Sequence, residues 1–245
     1  MNQVKIDFMK SETVYGYMRS YTTTIQAKVA AKYGLTIPQL YWADFYKYGD
    51  EFIDGLAYET FNTPNKYLNE QLAGMLTVGE TAQIVINENM ASEKQHVTFL
   101  HELIHLLKHA EHGKTQEFHE ILTNGSYSFD DTVKEAEATL GAGFLAFPSI
   151  AIYHACVNHL EWDYVAKALE IDDDFMKMRL VNFLIFENSL SREQAETVVN
   201  AVEHKNLKEL KGFVSEWWST YMNDDLASEK YQSLSINEVI NDYWE

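Results

Sequence analysis

Residues 97–109 read VTFLHELIHLLKH and carry the strongest structural signal in the chain. Drawn as a helix, this stretch has apolar side chains over most of its circumference, which predicts burial on nearly all sides. One stripe along a single face is polar instead. The stripe comprises Thr98, His101, Glu102, His105 and His109. Imidazoles and a carboxylate inside a buried helix are costly unless something pairs them, and a metal ion would do so.

The pentapeptide from His101 to His105 has the HExxH pattern, whose spacing suits a metal ion. Histidines four residues apart lie one turn above each other, so both can turn a nitrogen towards one zinc ion. Glu102 points beside such an ion and can accept a proton from a zinc-activated water. The pattern leaves one coordination position open, which disfavours a purely structural zinc site.

A catalytic zinc site usually has a third protein ligand, and several residues are candidates. The candidates close to the motif in sequence are His109, Glu111, His112 and His119. Glu135 and Glu137 are stronger, because the small residues after them allow their helix to approach the first helix closely. Spacing alone leaves these two nearly even, since they point to different sides of that helix. Thr132 and Glu135 also match a capping box, in which the glutamate would only cap its helix.

Upstream of the HExxH helix, the sequence predicts a β-hairpin. Met75–Val78 and Thr81–Asn87 are rich in β-branched residues and are separated by a Gly-Glu pair. Ser92 is then expected to begin the helix, with Gln95 completing a capping box. The region before the hairpin, up to about Tyr67, is predicted to consist of helices.

Downstream of the HExxH helix, the sequence predicts a polar loop and a second helix. The loop contains Gly113 and Asn124-Gly125, and the stretch from Glu111 to Asp130 is long enough to act as a lid. The second helix is expected to begin near Asp131–Thr132 and to end before Pro148. The remainder of the chain is predicted to be helical, with acidic turns at residues 172–174 and 224–225.

Composition and charge narrow the functional classes. At 245 residues, the chain can form one large domain or two small ones. Its 37 acidic and 19 basic side chains give a formal net charge of −18. This charge disfavours direct binding of nucleic acid and favours a basic partner. Cys156 is the single cysteine, and no N-terminal signal peptide is visible, so a cytoplasmic location is expected.

Two further patterns are assigned to ordinary helices. The segment from Ala138 to Leu160 lacks charged side chains, but Pro148 interrupts it, so two buried helices are favoured over a membrane span. The segment Ala30–Leu40 has the spacing of a helix-turn-helix. Its second helix would present no Lys or Arg to phosphates at its start, so an ordinary helix pair is favoured over DNA recognition.

These stretches together resemble the ImmA/IrrE family of metallo-endopeptidases. Residues 97–109 are similar to the family's FTLAHELGHLLLH block and follow a strand that ends in asparagine, Ile84–Asn87. Residues 135–148 are similar to a second block, E-x-x-A-N/D-x-F-A-A-x-L-L-M-P. The resemblance covers roughly Gly74 to Pro148, with weaker similarity from Tyr164 to Leu180.

The resemblance implies a zincin-like fold and peptide hydrolysis. In its register, Glu135 and the two motif histidines hold the zinc ion, and Glu102 is the general base. Three positions depart from the family pattern. Ile104 replaces a glycine, Thr139 replaces the Asn or Asp expected to support the site, and the phenylalanine of the second block is missing.

The expected fold class is therefore α+β and mainly α. A zincin-like core would contain a small β-sheet preceding the HExxH helix, and a helical C-terminal region would follow. The expected parts are an N-terminal helical region (residues 1–73), a zincin-like metallopeptidase core (residues 74–148) and the helical C-terminal region (residues 149–245).

The expected function is zinc-dependent cleavage of a protein. Members of the resembled family occur in phages, mobile elements and stress responses, where they cut helix-turn-helix repressors, and a basic repressor of this kind suits an acidic chain. The alternative is a non-catalytic regulatory or binding module on a zincin scaffold. The absence of the family's Asn or Asp at position 139, where this chain has Thr139, favours this alternative. The presence of Glu102 argues against it, because a binding module needs no general base.

Overall fold

A computed structural model of the chain describes residues 12–52, 56–62, 64–65, 71–111, 114–121 and 129–214. Within these ranges, four helices and four strands come before Pro148 in the sequence. They are α1 (Glu12–Tyr33), α2 (Trp42–Phe52), β1 (Leu56–Phe61), β2 (Leu72–Val78), β3 (Ala82–Asn87), α3 (Ser92–Ile104), β4 (Gln116–Ile121) and α4 (Phe129–Ala146). Four further α-helices follow Pro148. They are α5 (Ser149–Val157), α6 (Trp162–Leu169), α7 (Asp173–Asn188) and α8 (Arg192–Val202). Short 3-10 turns lie at Ile37–Gln39 and Leu207–Leu210.

The four strands form one mixed sheet with the order β1-β3-β2-β4. The predicted hairpin is confirmed, because β2 and β3 pair antiparallel, with Met75 opposite Val85. In β3, Ala82, Ile84 and Ile86 are buried at alternate positions, as expected for a strand with one face against the core. The α+β fold class, mainly α with a small sheet before the HExxH helix, is therefore confirmed.

Two strands lie where the sequence predicted other structure. Strand β1 lies in the region predicted to be helical, and it pairs parallel with β3 while its Tyr58 ring meets Phe99 edge-on at 5.5 Å. Strand β4 lies within the predicted polar loop and pairs antiparallel with β2. Both predictions were wrong because pairing with a distant strand outweighs weak local preferences. His112, Gly113, Asn124-Gly125 and Asp224–Asp225 lie outside the described residues.

Helix α3 lies against β2 and β3 and also packs on α4. It begins at Ser92 as predicted, but its N-cap is Ala91, and no side chain makes a capping hydrogen bond. The predicted capping box is therefore wrong: Gln95 Nε2 donates to the Met90 carbonyl instead. The predicted helix continues to His109, but its last turn, His105–His109, is a π-helix.

Helix α4 packs closely on α3, and small residues permit the approach. A Cβ atom on Gly141 would lie 2.8 Å from Cγ1 of Ile104 and 2.9 Å from Cε of Met18. Helix α4 ends at Ala146 and α5 begins after Pro148, as predicted. By length and composition, Asp131–Val157 could cross a membrane, but 94% of its most apolar window is buried by protein. Burial of this kind is typical of core helices.

The chain divides into two compact units. Unit 1 comprises Met1–Val29 and Tyr41–Ala146, and unit 2 comprises Ala30–Leu40 and Phe147–Glu245. Unit 1 holds the sheet, α3 and α4. Trp42, at the start of α2, stacks on His96 with ring centroids 4.0 Å apart, so it packs within unit 1. The boundaries predicted at residues 73/74 and 148/149 stay predictions.

Unit 2 has a buried polar network at its centre. Arg179 on α7 donates from Nε to the Phe147 carbonyl at 2.9 Å and from Nη2 to Ser149 Oγ at 2.8 Å. Ser149 Oγ donates in turn to Glu187 at 2.6 Å. Asp172 caps α7 by accepting from the Phe175 amide, so the predicted acidic turn at residues 172–174 begins a helix.

Candidate metal centre

His101, His105 and Glu135 lie together between α3 and α4. His101 Nε2 is 3.1 Å from His105 Nε2. The Glu135 carboxylate approaches both rings, with one oxygen 3.4 Å from His101 Nε2 and the other 3.2 Å from His105 Nε2. These three residues are at most 4% exposed. Two imidazole nitrogens and one carboxylate thus converge on one buried point.

The spacing of these atoms fits a tetrahedral metal ion. With bonds of about 2.0–2.1 Å, a tetrahedral zinc ion holds its ligand atoms about 3.3 Å apart. The two Nε2 atoms are 3.1 Å apart, and each lies 3.2 or 3.4 Å from a different oxygen of Glu135, which is close to that value. Two imidazoles and one carboxylate also match the ligand set of catalytic zinc sites. The residues present therefore fit the metal that the pattern implies.

Burial sets the protonation states that a metal needs. Burial lowers the pKa of His105 to about 4, so this imidazole is neutral near pH 7 and has a lone pair to offer. Burial by itself would raise the pKa of Glu135. The close contacts of Glu135 with His101 and His105 outweigh this effect and hold the pKa of the Glu135 carboxyl well below its usual value. A neutral ring and an ionised carboxylate are the forms that bind a cation.

Glu102 lies beside the three converging residues and is fully buried. Its carboxylate lies in a second group, with His101 and Glu120, whose ligand atoms are all within 4.8 Å of one another. Gly74 on β2 makes room for Thr98, one turn before Glu102, since a Cβ there would lie 2.5 Å from Thr98 Cγ2. The same Cβ would lie 3.4 Å from Glu102 Oε1, so β2 passes directly beside this carboxylate.

Thr139 faces the other nitrogen of His101. Its hydroxyl donates to the Glu135 carbonyl at 2.8 Å, which leaves its oxygen free to accept from His101 Nδ1 at 3.5 Å. Glu120 Oε1 lies 3.9 Å from the same nitrogen. A proton on Nδ1 leaves the Nε2 lone pair for a metal. Thr139 can thus support His101 at the position where the resembled family has Asn or Asp.

The other ligand candidates have different neighbours. Glu137 accepts from Lys108 Nζ at 2.6 Å and contacts His109 Nε2 at 2.9 Å. Glu111 is exposed and pairs with Lys114. The side chain of His119 is 43% exposed on β4. None of these contacts reaches His101 or Glu135, although His109 Nδ1 also lies 3.0 Å from His105 Nδ1.

The capping-box interpretation of Glu135 is wrong. Helix α4 begins at Phe129, so Thr132 and Glu135 both lie inside the helix and not at its start. A capping box needs its first residue immediately before the helix. The carboxylate of Glu135 instead faces the two motif histidines.

Two residues near the site were not found from the sequence. Glu120 reaches His101 from β4, and Phe118 on the same strand stacks on His105 with ring centroids 4.8 Å apart. The two side chains are two residues apart on one strand, so they lie on the same face of the sheet. Their contacts show that this face is turned towards His101 and His105. The apolar side chain of Phe118 next to the polar His119 was the available signal for a strand, but the surrounding polar residues favoured a loop.

Comparison with known proteins places the chain in a family. Residues 58–180, half of the chain, match the peptidase family described as the IrrE N-terminal-like domain. This match includes β2, β3, α3, β4 and α4, and with them the whole group of converging residues. A search of curated proteins found no match. The chain belongs to the IrrE N-terminal-like family of metallopeptidases.

Proposed function

We propose that the protein is a zinc-dependent endopeptidase. The observation that carries this proposal is the spacing of His101, His105 and Glu135 in a buried site beside Glu102: the two Nε2 atoms lie 3.1 Å apart and 3.2–3.4 Å from the Glu135 carboxylate. Family membership supports a divalent metal and peptide hydrolysis. Two imidazoles and a carboxylate favour zinc over magnesium or calcium, which prefer all-oxygen sites.

Each residue of the site has a separate role in this mechanism. His101, His105 and Glu135 hold the metal and leave one position open. A zinc ion bound there would supply Lewis acidity, which makes water acidic enough to lose a proton near neutral pH and polarises a peptide carbonyl. Glu102 accepts the water's proton and returns a proton to the leaving amine. Thr139 keeps the proton of His101 on Nδ1.

We propose a basic regulatory protein as the substrate. The formal net charge of −18 would attract a basic chain and accelerate its encounter with the enzyme, whereas it would repel nucleic acid. A DNA-binding repressor of the helix-turn-helix type has the complementary charge. The reducing cytoplasm, where such repressors act, suits a chain with a single buried cysteine.

The alternative is a binding module that keeps the scaffold without catalysis. Its main support from the sequence was Thr139, which replaces the expected Asn or Asp. The 3.5 Å approach of Thr139 Oγ1 to His101 Nδ1 weakens that support. A binding module also has no use for Glu102 beside the metal site.

Glu102→Gln separates the two functions, because glutamine has nearly the same shape but cannot accept the water's proton. We expect this variant to keep about one zinc per chain, measured by elemental analysis, and to lose cleavage. Cleavage is followed by mass spectrometry with a basic helix-turn-helix protein and with an acidic unfolded protein as substrates. His101→Ala is the matched control and should lose both zinc and cleavage.

The outcomes discriminate between the proposals. Cleavage by Glu102→Gln at the wild-type rate would remove Glu102 from the mechanism. Zinc binding without cleavage of any substrate by the wild type would favour the binding module. Faster cleavage of the acidic substrate than of the basic one would overturn the proposed substrate class.

A further inference from the structure

A second chain of polar contacts begins at the far nitrogen of His105. His105 Nδ1 lies 3.0 Å from His109 Nδ1. The other nitrogen of His109, Nε2, lies 2.9 Å from Glu137 Oε2, and Lys108 Nζ donates to the same oxygen at 2.6 Å. The His109 side chain is 4% exposed and that of Glu137 13%. The sequence had placed His109 and Glu137 among the ligand candidates, but both lie on the opposite side of His105 from Glu135.

The acceptor at the end of this chain favours one arrangement of the protons along it. An ionised carboxylate only accepts hydrogen bonds, so the proton in the contact with Glu137 belongs to His109 Nε2. A neutral His109 then carries no proton on Nδ1, so this atom accepts a hydrogen bond. At 3.0 Å the two Nδ1 atoms cannot both carry hydrogens, so the proton between them belongs to His105. This arrangement leaves His105 Nε2 without a proton, and Nε2 is the atom that faces His101 and Glu135. In metal-free protein the Glu135 carboxylate competes for a proton at Nε2, a position that a bound metal ion would occupy instead.

The backbone around His109 is held from α1. The turn His105–His109 is a π-helix, in which the Ala110 amide bonds to the His105 carbonyl. Tyr21 Oη donates to the Leu107 carbonyl at 2.8 Å, which satisfies an acceptor near the helix end. The Lys108 ammonium lies 5.0 Å from the centre of the Tyr17 ring. These contacts limit the positions that His109 can adopt, and π-turns of this kind are frequent at functional sites.

We propose that His109, held by Glu137, is a positioning residue for the metal site: it keeps His105 in the tautomer that presents Nε2 to the metal. The inference rests on the proposed function, in which His105 is a metal ligand. Outer partners of this kind fix the ring orientation of a ligand and raise its basicity. Lys108 contributes by keeping Glu137 in place as an acceptor.

The test replaces His109 by two residues of different hydrogen-bonding capacity. Phenylalanine keeps a ring but cannot accept from His105, so His109→Phe should weaken zinc binding about 10–100-fold. Glutamine can accept with its oxygen and donate with its nitrogen, so His109→Gln should restore most of the affinity. Zinc affinity is measured by competition with a chromophoric chelator. His154→Phe is the matched control: it removes another buried histidine, which contacts Asn158 in unit 2, and should leave zinc affinity unchanged.

A second readout needs neither metal nor activity. Nitrogen-15 NMR of the imidazoles distinguishes the two neutral tautomers. In metal-free Glu135→Ala, where no carboxylate competes for a proton at Nε2, His105 should be protonated at Nδ1. Adding His109→Phe to this variant should remove that preference. Should this variant fail to fold, Glu137→Leu serves instead, because it removes the acceptor that orients His109 and should shift the tautomer in the same direction.

The outcomes separate this inference from the proposed function. Wild-type zinc affinity in His109→Phe, together with an unchanged His105 tautomer, would overturn the positioning role while leaving the metal site intact. Equal loss of affinity in the phenylalanine and glutamine variants would show that only packing matters, and would also overturn it. A wild type that takes up no zinc would contradict the proposed function. The tautomer measurement on metal-free protein would still show whether His109 sets the tautomer of His105.

Discussion

Two glutamates on α4, Glu135 and Glu137, have different neighbours at this site and therefore different proposed roles. Glu135 and Glu137 are two positions apart on α4, so their side chains leave the helix about 200° apart. Glu135 faces the Nε2 atoms of His101 and His105, whereas Glu137 faces His109 and Lys108. Both carboxyls have lowered pKa values, each because contacts with neighbouring histidines or lysine outweigh the effect of burial. One carboxylate is thus available to a metal, while the other is available to a histidine that supports a ligand.

Replacing Glu135 tests the ligand assignment. If three protein ligands share a binding free energy on the order of 10–16 kcal/mol, Glu135→Ala should weaken zinc binding by about a hundredfold or more. Chelator competition measures this loss. Glu137→Ala should have a smaller effect, since it acts only through His109, and Glu111→Ala, which changes an exposed carboxylate, should have none. A larger loss in Glu137→Ala than in Glu135→Ala would reverse the assignment of the third ligand.

At the scale of elements, the site depends on how closely α3 lies against its neighbours. Gly74 on β2 leaves space for Thr98 and Ile86 beside Glu102, and Gly141 on α4 leaves space for Ile104. Ile104 replaces a family glycine, and Gly141 on the facing helix provides the compensating space. The polar stripe of α3 is therefore buried between the sheet and α4.

Gly74→Ala tests whether β2 positions Glu102. The added Cβ would lie 2.5 Å from Thr98 Cγ2 and 3.4 Å from Glu102 Oε1. Overpacking of this kind should lower the free energy of unfolding by about 1–3 kcal/mol, measured by chemical denaturation. Cleavage should also slow, whereas zinc affinity should stay unchanged because Gly74 touches none of the three proposed ligands. Adding Thr98→Ser removes the Cγ2 methyl and should recover part of the lost stability and part of the lost cleavage rate. A Gly74→Ala variant with wild-type cleavage would show that β2 does not constrain Glu102.

The elements predicted correctly are those whose signal is local. The hairpin of β2 and β3 has β-branched residues around a Gly-Glu turn, and α3 has a strong helical period, so both could be predicted from the sequence. Strands β1 and β4 could not, because each depends on pairing with a strand distant in sequence. Glu120 was missed for the same reason, since only the pairing of β4 with β2 brings it to His101. The choice between Glu135 and Glu137 came from the family resemblance, because spacing alone left it open.

At the scale of the whole molecule, the functional residues belong to one of the two compact units. All of the residues proposed to bind or support the metal lie in unit 1, whereas unit 2 is organised around the buried contacts of Arg179. The family match also extends into unit 2, as far as residue 180. The negative charge, by contrast, belongs to the chain as a whole and bears on which partners it meets.

Metal removal should therefore affect the two units differently. A ligand that binds only the folded form stabilises it by about 2.7 kcal/mol at a free concentration one hundred times its dissociation constant. Hydrogen exchange followed by mass spectrometry should show that a chelator lowers the protection of amides in α3 and α4 by an amount of this order. The amides of α7 and α8 should keep their protection, because unit 2 contains none of the proposed ligands. His101→Ala is the control, since neither zinc nor chelator should change its exchange. An equal loss of protection in α7 and α8 would show that the metal stabilises the chain as a single cooperative structure, and no loss in α3 or α4 would show that the folded site does not hold the ion.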